Sequence, residues 1–229
     1  MKRLVVLSGA GISAESGIRT FREMGGLWDQ YDVTEVASPE AWQKNPELVL
    51  HFYNERRKQL FESEPNAGHI GLAQLQDDYD VQIITQNVDD LHERAGSRNV
   101  LHLHGELKKA RSTIDETLVY ELTRWELKIG DLCEKGSQLR PHIVWFGEPV
   151  NAIPEAVNMV ESADIMVVVG TSLNVYPAAG LLNYVRENTP VFLIDPNPPF
   201  QVPLEVHIIA MKAGSGVAEL KKILTRKRL

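Results

Sequence analysis

The chain has 229 residues, 43% of them hydrophobic and 24% charged, a balance that excludes disordered, collagen-like and mucin-like proteins and suits one large domain or one domain with an insertion. A net charge of −7 argues against a general nucleic-acid-binding protein, since such domains are usually basic. The one cysteine can form neither an internal disulfide nor a cysteine-rich zinc site.

Met1-Lys2-Arg3 is charged, but the apolar run after it, residues 4–7, is too short for a signal peptide and leads at once into Ser8-Gly9-Ala10-Gly11. No stretch approaches the ~18 apolar residues of a membrane span. The expectation is a cytoplasmic protein with neither a membrane nor a nucleic acid as partner. Residues 4–7 read as the first strand, followed by strands at 81–85, 100–103, 142–146, 165–169, 191–194 and 206–209. Several are apolar without alternation, as strands buried on both faces of a parallel sheet are. Helical spacing occupies 66–77, 88–95, 153–162, 178–187 and 217–224. Strand alternating with helix predicts an α/β fold with a Rossmann-like parallel sheet covered on both faces. Two stretches break the rhythm. Residues 34–65 hold Pro39, Pro46 and a helical run at 48–61, and residues 107–140 are polar and poor in β-branched runs. Both are expected to pack together as a smaller lobe, leaving a large lobe of about 1–33, 66–106 and 141–229 in a single unit. The basic ending, from Lys221 to Arg228, reads as a solvated helix end and tail.

Gly9-Ala10-Gly11-Ile12-Ser13-Ala14 follows the first strand directly and fits the G-x-G-x-x-G/A turn of dinucleotide-binding folds. The first glycine makes the turn, the second lets backbone approach a pyrophosphate, and the small third residue lets helix meet strand. A nicotinamide dehydrogenase of the usual layout would place an acidic residue at a strand end ~20 residues on. Here that position falls in Trp28-Asp29-Gln30, well before the next strand. Binding of a phosphorylated ligand is therefore expected without the usual hydride-transfer layout.

The stretch Gly9-Ala10-Gly11-Ile12-Ser13-Ala14-Glu15-Ser16-Gly17-Ile18-Arg19-Thr20-Phe21-Arg22 resembles the opening signature of the sirtuins, the NAD-dependent protein lysine deacylases. Four more blocks follow in family order: Thr85-Gln86-Asn87-Val88-Asp89, His102-Leu103-His104-Gly105, Val144-Trp145-Phe146-Gly147-Glu148 and Gly170-Thr171-Ser172. The resemblance covers nearly the whole chain. It implies NAD as co-substrate, acylated protein lysines as partners, and nicotinamide, free lysine and O-acyl-ADP-ribose as products. It implies His104 as general base, a role that suits a side chain titrating near neutrality. Asn87 would share the catalytic work. Asn87 and Asp89 would hold the nicotinamide half with Ser13 and Ile18, and Gln86 a ribose. Gly9, Ala10, Gly11, Glu15, Phe21 and Arg22 would complete that side of the cofactor site. Gly170, Thr171, Ser172, Asp195, Asn197 and Ala213 would hold the adenosine side. The family often has asparagine where Asp195 stands, which alters charge near the phosphates. Val144, Phe146 and Gly147 would bind the acyl-lysine peptide as an added strand, which gives backbone affinity with little sequence selectivity.

Tyr53 and Arg56 lie three apart, on one face of the predicted helix. A guanidinium beside a phenol makes a carboxylate receptor. The pair resembles the Tyr-x-x-Arg signature of class III sirtuins, which remove succinyl and malonyl groups, and Ala37 matches the small residue that widens the acyl pocket there. Most sirtuins also carry two C-x-x-C pairs for a structural zinc. Here the first falls near Arg111-Ser112-Thr113-Ile114-Asp115 and the second keeps only Cys133, so no zinc is expected. Two other readings stand beside the deacylase: protein ADP-ribosyl transfer, and a non-catalytic NAD- or ADP-ribose-binding module. The Tyr53/Arg56 pair has no obvious job in the first, and His104, Asn87 and Asp89 argue against the second, because a pure binder would not need a general base.

Overall fold

The structure, a computed structural model, describes residues 1–19, 32–171, 177–198 and 206–227. Strand β1 (Arg3–Ser8) leads into two short 3-10 turns (Ala10–Ile12 and Ala14–Ser16). Helices α1 (Val33–Val36), α2 (Pro39–Lys44), α3 (Pro46–Glu62) and α4 (Ala67–Gln74) follow. Then come β2 (Asp80–Thr85), α5 (Leu91–Arg94), β3 (Val100–His102), β4 (Gly105–Ser112), β5 (Val119–Glu121) and β6 (Leu139–Ile143). The chain continues through α6 (Ile153–Glu161), β7 (Ile165–Val169), a 3-10 segment (Ala178–Tyr184), β8 (Val191–Ile194), β9 (Val206–Ile209) and α7 (Ala213–Lys227).

Six strands form one parallel sheet in the order β3-β2-β1-β7-β8-β9. The period of two along a strand explains the apolar runs. In β1, Leu4 and Val6 face α4 and α7, while Val5 and Leu7 face α6 and the 3-10 segment. All five residues of β7 are buried for the same reason. The chain works outward from β1 to β3, then returns to lay β7 on the other side of β1. The strand order therefore reverses between β1 and β7, which is where open α/β sheets bind ligands.

A second, antiparallel sheet has the order β5-β4-β6. The expected strand at 142–146 belongs here, as β6, and lies outside the parallel sheet. Strands β4 and β5 went unread. A register shift between Gly105 and Ala110 breaks the alternation of β4, so its buried residues, Leu107, Ala110 and Ser112, do not follow a period of two. Helix α3 packs on this sheet: Phe52, Tyr53 and Leu60 meet Leu107, Ile143 and Trp145, and Leu50 meets Ala110, Leu127, Cys133 and Leu139. Asn45 caps α3 by accepting the Leu48 N–H, with Pro46 in its first turn. The helix expected over 88–95 shortens to α5; Val88 and Asp89, before it, are buried in an irregular loop. The segment 178–187 is 3-10 rather than α-helical and ends at Tyr184. No helix among the described residues is long and apolar enough to cross a membrane.

Candidate active site

The loops that leave β1 and β7 close on each other through glycine. The Gly9 N–H donates to the Val169 carbonyl at 3.0 Å and the Gly11 N–H to the Gly170 carbonyl at 2.8 Å. Gly170 has φ of +63°, and a Cβ there would collide with the backbone of Gly11 and Ile12. The glycines thus let the two loops meet at the point where the strand order reverses.

Beside that seam three buried polar side chains join. Ser13 donates to Asp89 Oδ2 at 2.9 Å, and Asn87 Nδ2 lies 3.1 Å from Ser13 Oγ and 3.2 Å from the Gly9 carbonyl. Burial pushes the Asp89 carboxyl up, against the hydrogen bonds from Ser13 and the Leu91 N–H. A cleft, partly open to solvent, runs past these groups. Its wall carries Ala10, Ile18, Val88 and Leu107 together with Arg19, Arg56 and Gln59.

His104 follows the end of β3 and is not among the residues that line this cleft. Its Nδ1 lies 3.0 Å from the Gln86 carbonyl, which can only accept, so Nδ1 carries the proton and Nε2 keeps a lone pair. Burial lowers its pKa below 6.5, with the Gln86 bond opposing. Gly105 is next, with φ of +82°, and a side chain there would collide with the His142 carbonyl. Gln86 Nε2 reaches Thr171 Oγ1 at 3.1 Å, linking the loops after β2 and β7.

On α3 the Arg56 guanidinium stands 5.5 Å from the Phe52 ring centre and 5.7 Å from that of Tyr53. Burial pushes the Tyr53 phenol up to about 12, against the pull of Arg56. Ala37 is buried in the same cluster as Tyr53 and Trp145, and its carbonyl accepts the Phe146 N–H at 3.0 Å. Val144 donates its N–H to the His104 carbonyl at 3.0 Å, so the segment 144–147 runs alongside the histidine. Phe146 is exposed, and Gly147 has φ of +91°. Glu148 holds this segment from behind by accepting from Arg111, Arg140 and the Trp145 N–H.

At the far end of the seam, Glu15 accepts the Gly214 N–H at 2.8 Å, placing the buried Ala213 beside the first turns. Asp195 accepts the Asn197 N–H at 2.8 Å just past β8. Phe21, Arg22 and Ser172 lie outside the described residues.

Residues 9–177 match the Sir2 family model. The chain belongs to the Sir2 family. It is 56% identical over 230 residues to a protein from Bacteroides thetaiotaomicron called NAD-dependent protein deacylase, covering 98% of each chain. A Helicobacter pylori protein of the same description is 58% identical over 198 residues, covering 86% of this chain and 83% of its own. Among solved structures, a mutant Sir2 homologue bound to ADP-ribose superposes with a TM-score of 0.89 at 42% identity, over 98% of this chain and 94% of the other. A Sir2 homologue–NAD complex superposes with a TM-score of 0.86 at 43% identity, over 99% of this chain and 90% of the other.

The side chains of this Sir2 protein fit a dinucleotide on their own chemistry. The cleft wall offers apolar side chains for a flat ring, with a carboxylate and an amide for a carboxamide. Arg19 and Gln59 join that wall without having been singled out from the sequence. Also missed was a buried polar layer beneath it. Ser8 bonds Thr85 and His92, His69 Nε2 lies 3.5 Å from Ser13 Oγ, and the two imidazoles meet edge to face at 4.9 Å. The available signal was Asn66 followed three residues later by His69, a helix-capping pattern with histidine where glutamate is usual. Among the described residues no three His, Cys, Asp or Glu side chains are grouped to hold a metal ion.

Proposed function

We propose that this protein, an NAD-dependent protein deacylase, removes dicarboxylic acyl groups, succinyl and malonyl ahead of acetyl, from protein lysines, giving nicotinamide and O-acyl-ADP-ribose. The observation that carries the reading is Arg56, which lines the same cleft as Asn87 and Asp89 and stands over the Tyr53 ring. A guanidinium there can grip a distal carboxylate in bidentate fashion, with the phenol as a second donor.

When bound, NAD supplies the ribose carbon that the acyl oxygen joins as nicotinamide departs. Asn87 and Asp89 orient the nicotinamide half, Asn87 through the amide oxygen left free by its two Nδ2 bonds. His104 then takes a ribose hydroxyl proton at Nε2, which its Nδ1 bond to Gln86 leaves basic. Residues 144–147 receive the peptide as an added strand, with Val144 and Phe146 around the lysine stem. The packing of Cys133 among Leu50, Ala110, Leu127 and Leu139 supports an antiparallel sheet held by apolar contacts in place of zinc.

Replacing Arg56 by Met tests the acyl assignment. A lost charge-assisted hydrogen-bonded pair costs about 1.5–3 kcal/mol. Desuccinylation should therefore fall roughly 10–100-fold in kcat/KM, with deacetylation nearly unchanged. Equal losses on matched succinyl- and acetyl-lysine peptides would overturn it.

A further inference from the structure

Two histidines two residues apart bond two consecutive carbonyls. His104 Nδ1 reaches the Gln86 carbonyl at 3.0 Å, and His102 Nδ1 reaches the Asn87 carbonyl, also at 3.0 Å. Their other nitrogens differ. His102 Nε2 lies 2.7 Å from Glu93 Oε1 on α5. Both partners of His102 are acceptors, so both ring nitrogens donate and the ring is an imidazolium. Burial opposes the charge, but Glu93 and the Asn87 carbonyl hold the pKa above its ordinary value. The His102 side chain is 8% exposed and that of Glu93 39%, so the pair faces inward from the protein edge.

The ring therefore spans the loop from Gln86 to α5, gripping its start at the Asn87 carbonyl and its end at Glu93. The same loop is pinned by the Asn87 N–H on Thr85 Oγ1 at 3.0 Å and by the Leu107 N–H on the Val88 carbonyl at 2.7 Å. The Asn87 carbonyl bond holds the peptide plane between Asn87 and Val88, and the Asn87 N–H bond the plane before it, so together they set the direction of the Asn87 and Asp89 side chains toward the cleft. His102 does not line the cleft itself.

We propose that His102, charged and seated on Glu93, is a positioning residue that sets the orientation in which Asn87 and Asp89 meet the nicotinamide half of NAD. This rests on the reading of Asn87 and Asp89 given above. Misplacing a positioned group by about 1 Å costs up to about 100-fold in rate.

The experiment measures exchange of labelled nicotinamide into NAD, together with kcat and the separate KM values for NAD and acyl-peptide. The variants are His102→Phe, Glu93→Ala, Glu93→Gln and Asn87→Ala. His102→Phe and Glu93→Ala should lower exchange and kcat by about 10-fold or more, with the peptide KM within about twofold of wild type. Glu93→Gln should recover most of the loss, because its amide can donate to Nε2 while Nδ1 keeps its proton for Asn87. Exchange within about twofold of wild type in folded His102→Phe or Glu93→Ala would overturn the proposal. If His102→Phe does not fold, the partly exposed Glu93→Ala decides alone. Normal exchange in Asn87→Ala would instead sink the underlying reading of the loop.

Discussion

His104 depends on a single proton, and its neighbours settle where that proton sits. The Gln86 carbonyl fixes it on Nδ1, and burial resists a second one on Nε2. The ring therefore stays neutral to lower pH than an exposed imidazole. A general base is active in its neutral form, so the acid limb of kcat/KM on acyl-peptide should lie below pH 6.5, with rate falling as pH drops through it. A limb above 6.5 would remove His104 from the role. His104→Ala should lose about 10²–10⁴-fold on the same assay. The reading of this residue came from the resemblance, with Gly105 fixing its register; that glycine has positive φ and starts β4. Arg19 and Gln59 were not, since nothing in their spacing says which face of the fold they meet.

Helix α3 presents different side chains on different faces. Arg56 turns to the cleft, while Asn54 and Arg57 turn to the loop before β6. The Asn54 amide accepts the Leu127 N–H and donates to the Leu127 carbonyl, both at 2.9 Å, as a neighbouring strand would. Arg57, fully buried, donates to the carbonyls of Leu107 and Trp125. Asn54→Ala leaves two buried backbone groups unsatisfied, at about 1–3 kcal/mol each. The urea midpoint should drop accordingly, whereas treating the wild type with chelator should leave the midpoint where it was. A midpoint that falls on chelation would mean that a metal carries this load. Helix α3 itself was readable from its apolar spacing, and the Tyr53/Arg56 adjacency from an offset of three. Asn54 and Arg57 looked like ordinary surface polars, because their partners lie about 70 and 50 residues away in a segment without apolar periodicity.

For the molecule as a whole, the parallel sheet was readable wherever both faces are covered, and less so where a bulge or a functional loop interrupts the period. The buried imidazoles beneath the cleft give the fold an acid-sensitive centre. Burial lowers His69 from 6.5 to about 4 and holds His92 well below its ordinary value. The unfolded chain binds protons there that the folded one refuses, so stability is complete above about pH 6.5 and is lost as pH falls toward 4. For His69 alone the loss is roughly 3 kcal/mol. Melting temperature should decline over that window, and His69→Gln should flatten the decline. A flat wild-type profile would contradict the burial argument.

The central place of β1 has a cost in time. Arg3, at its start, bonds Asp80, 77 residues on, and Asp164, 161 residues on. On a ribosome adding about 5–20 residues per second, β1 waits roughly 8–30 s for β7 to be made. During most of that interval the run Leu4-Val5-Val6-Leu7 has an open edge, and the face carrying Val5 and Leu7 still lacks α6 and the 3-10 segment. The strand made first is then the one most in need of a chaperone, and the glycine seam forms only once synthesis has passed Gly170.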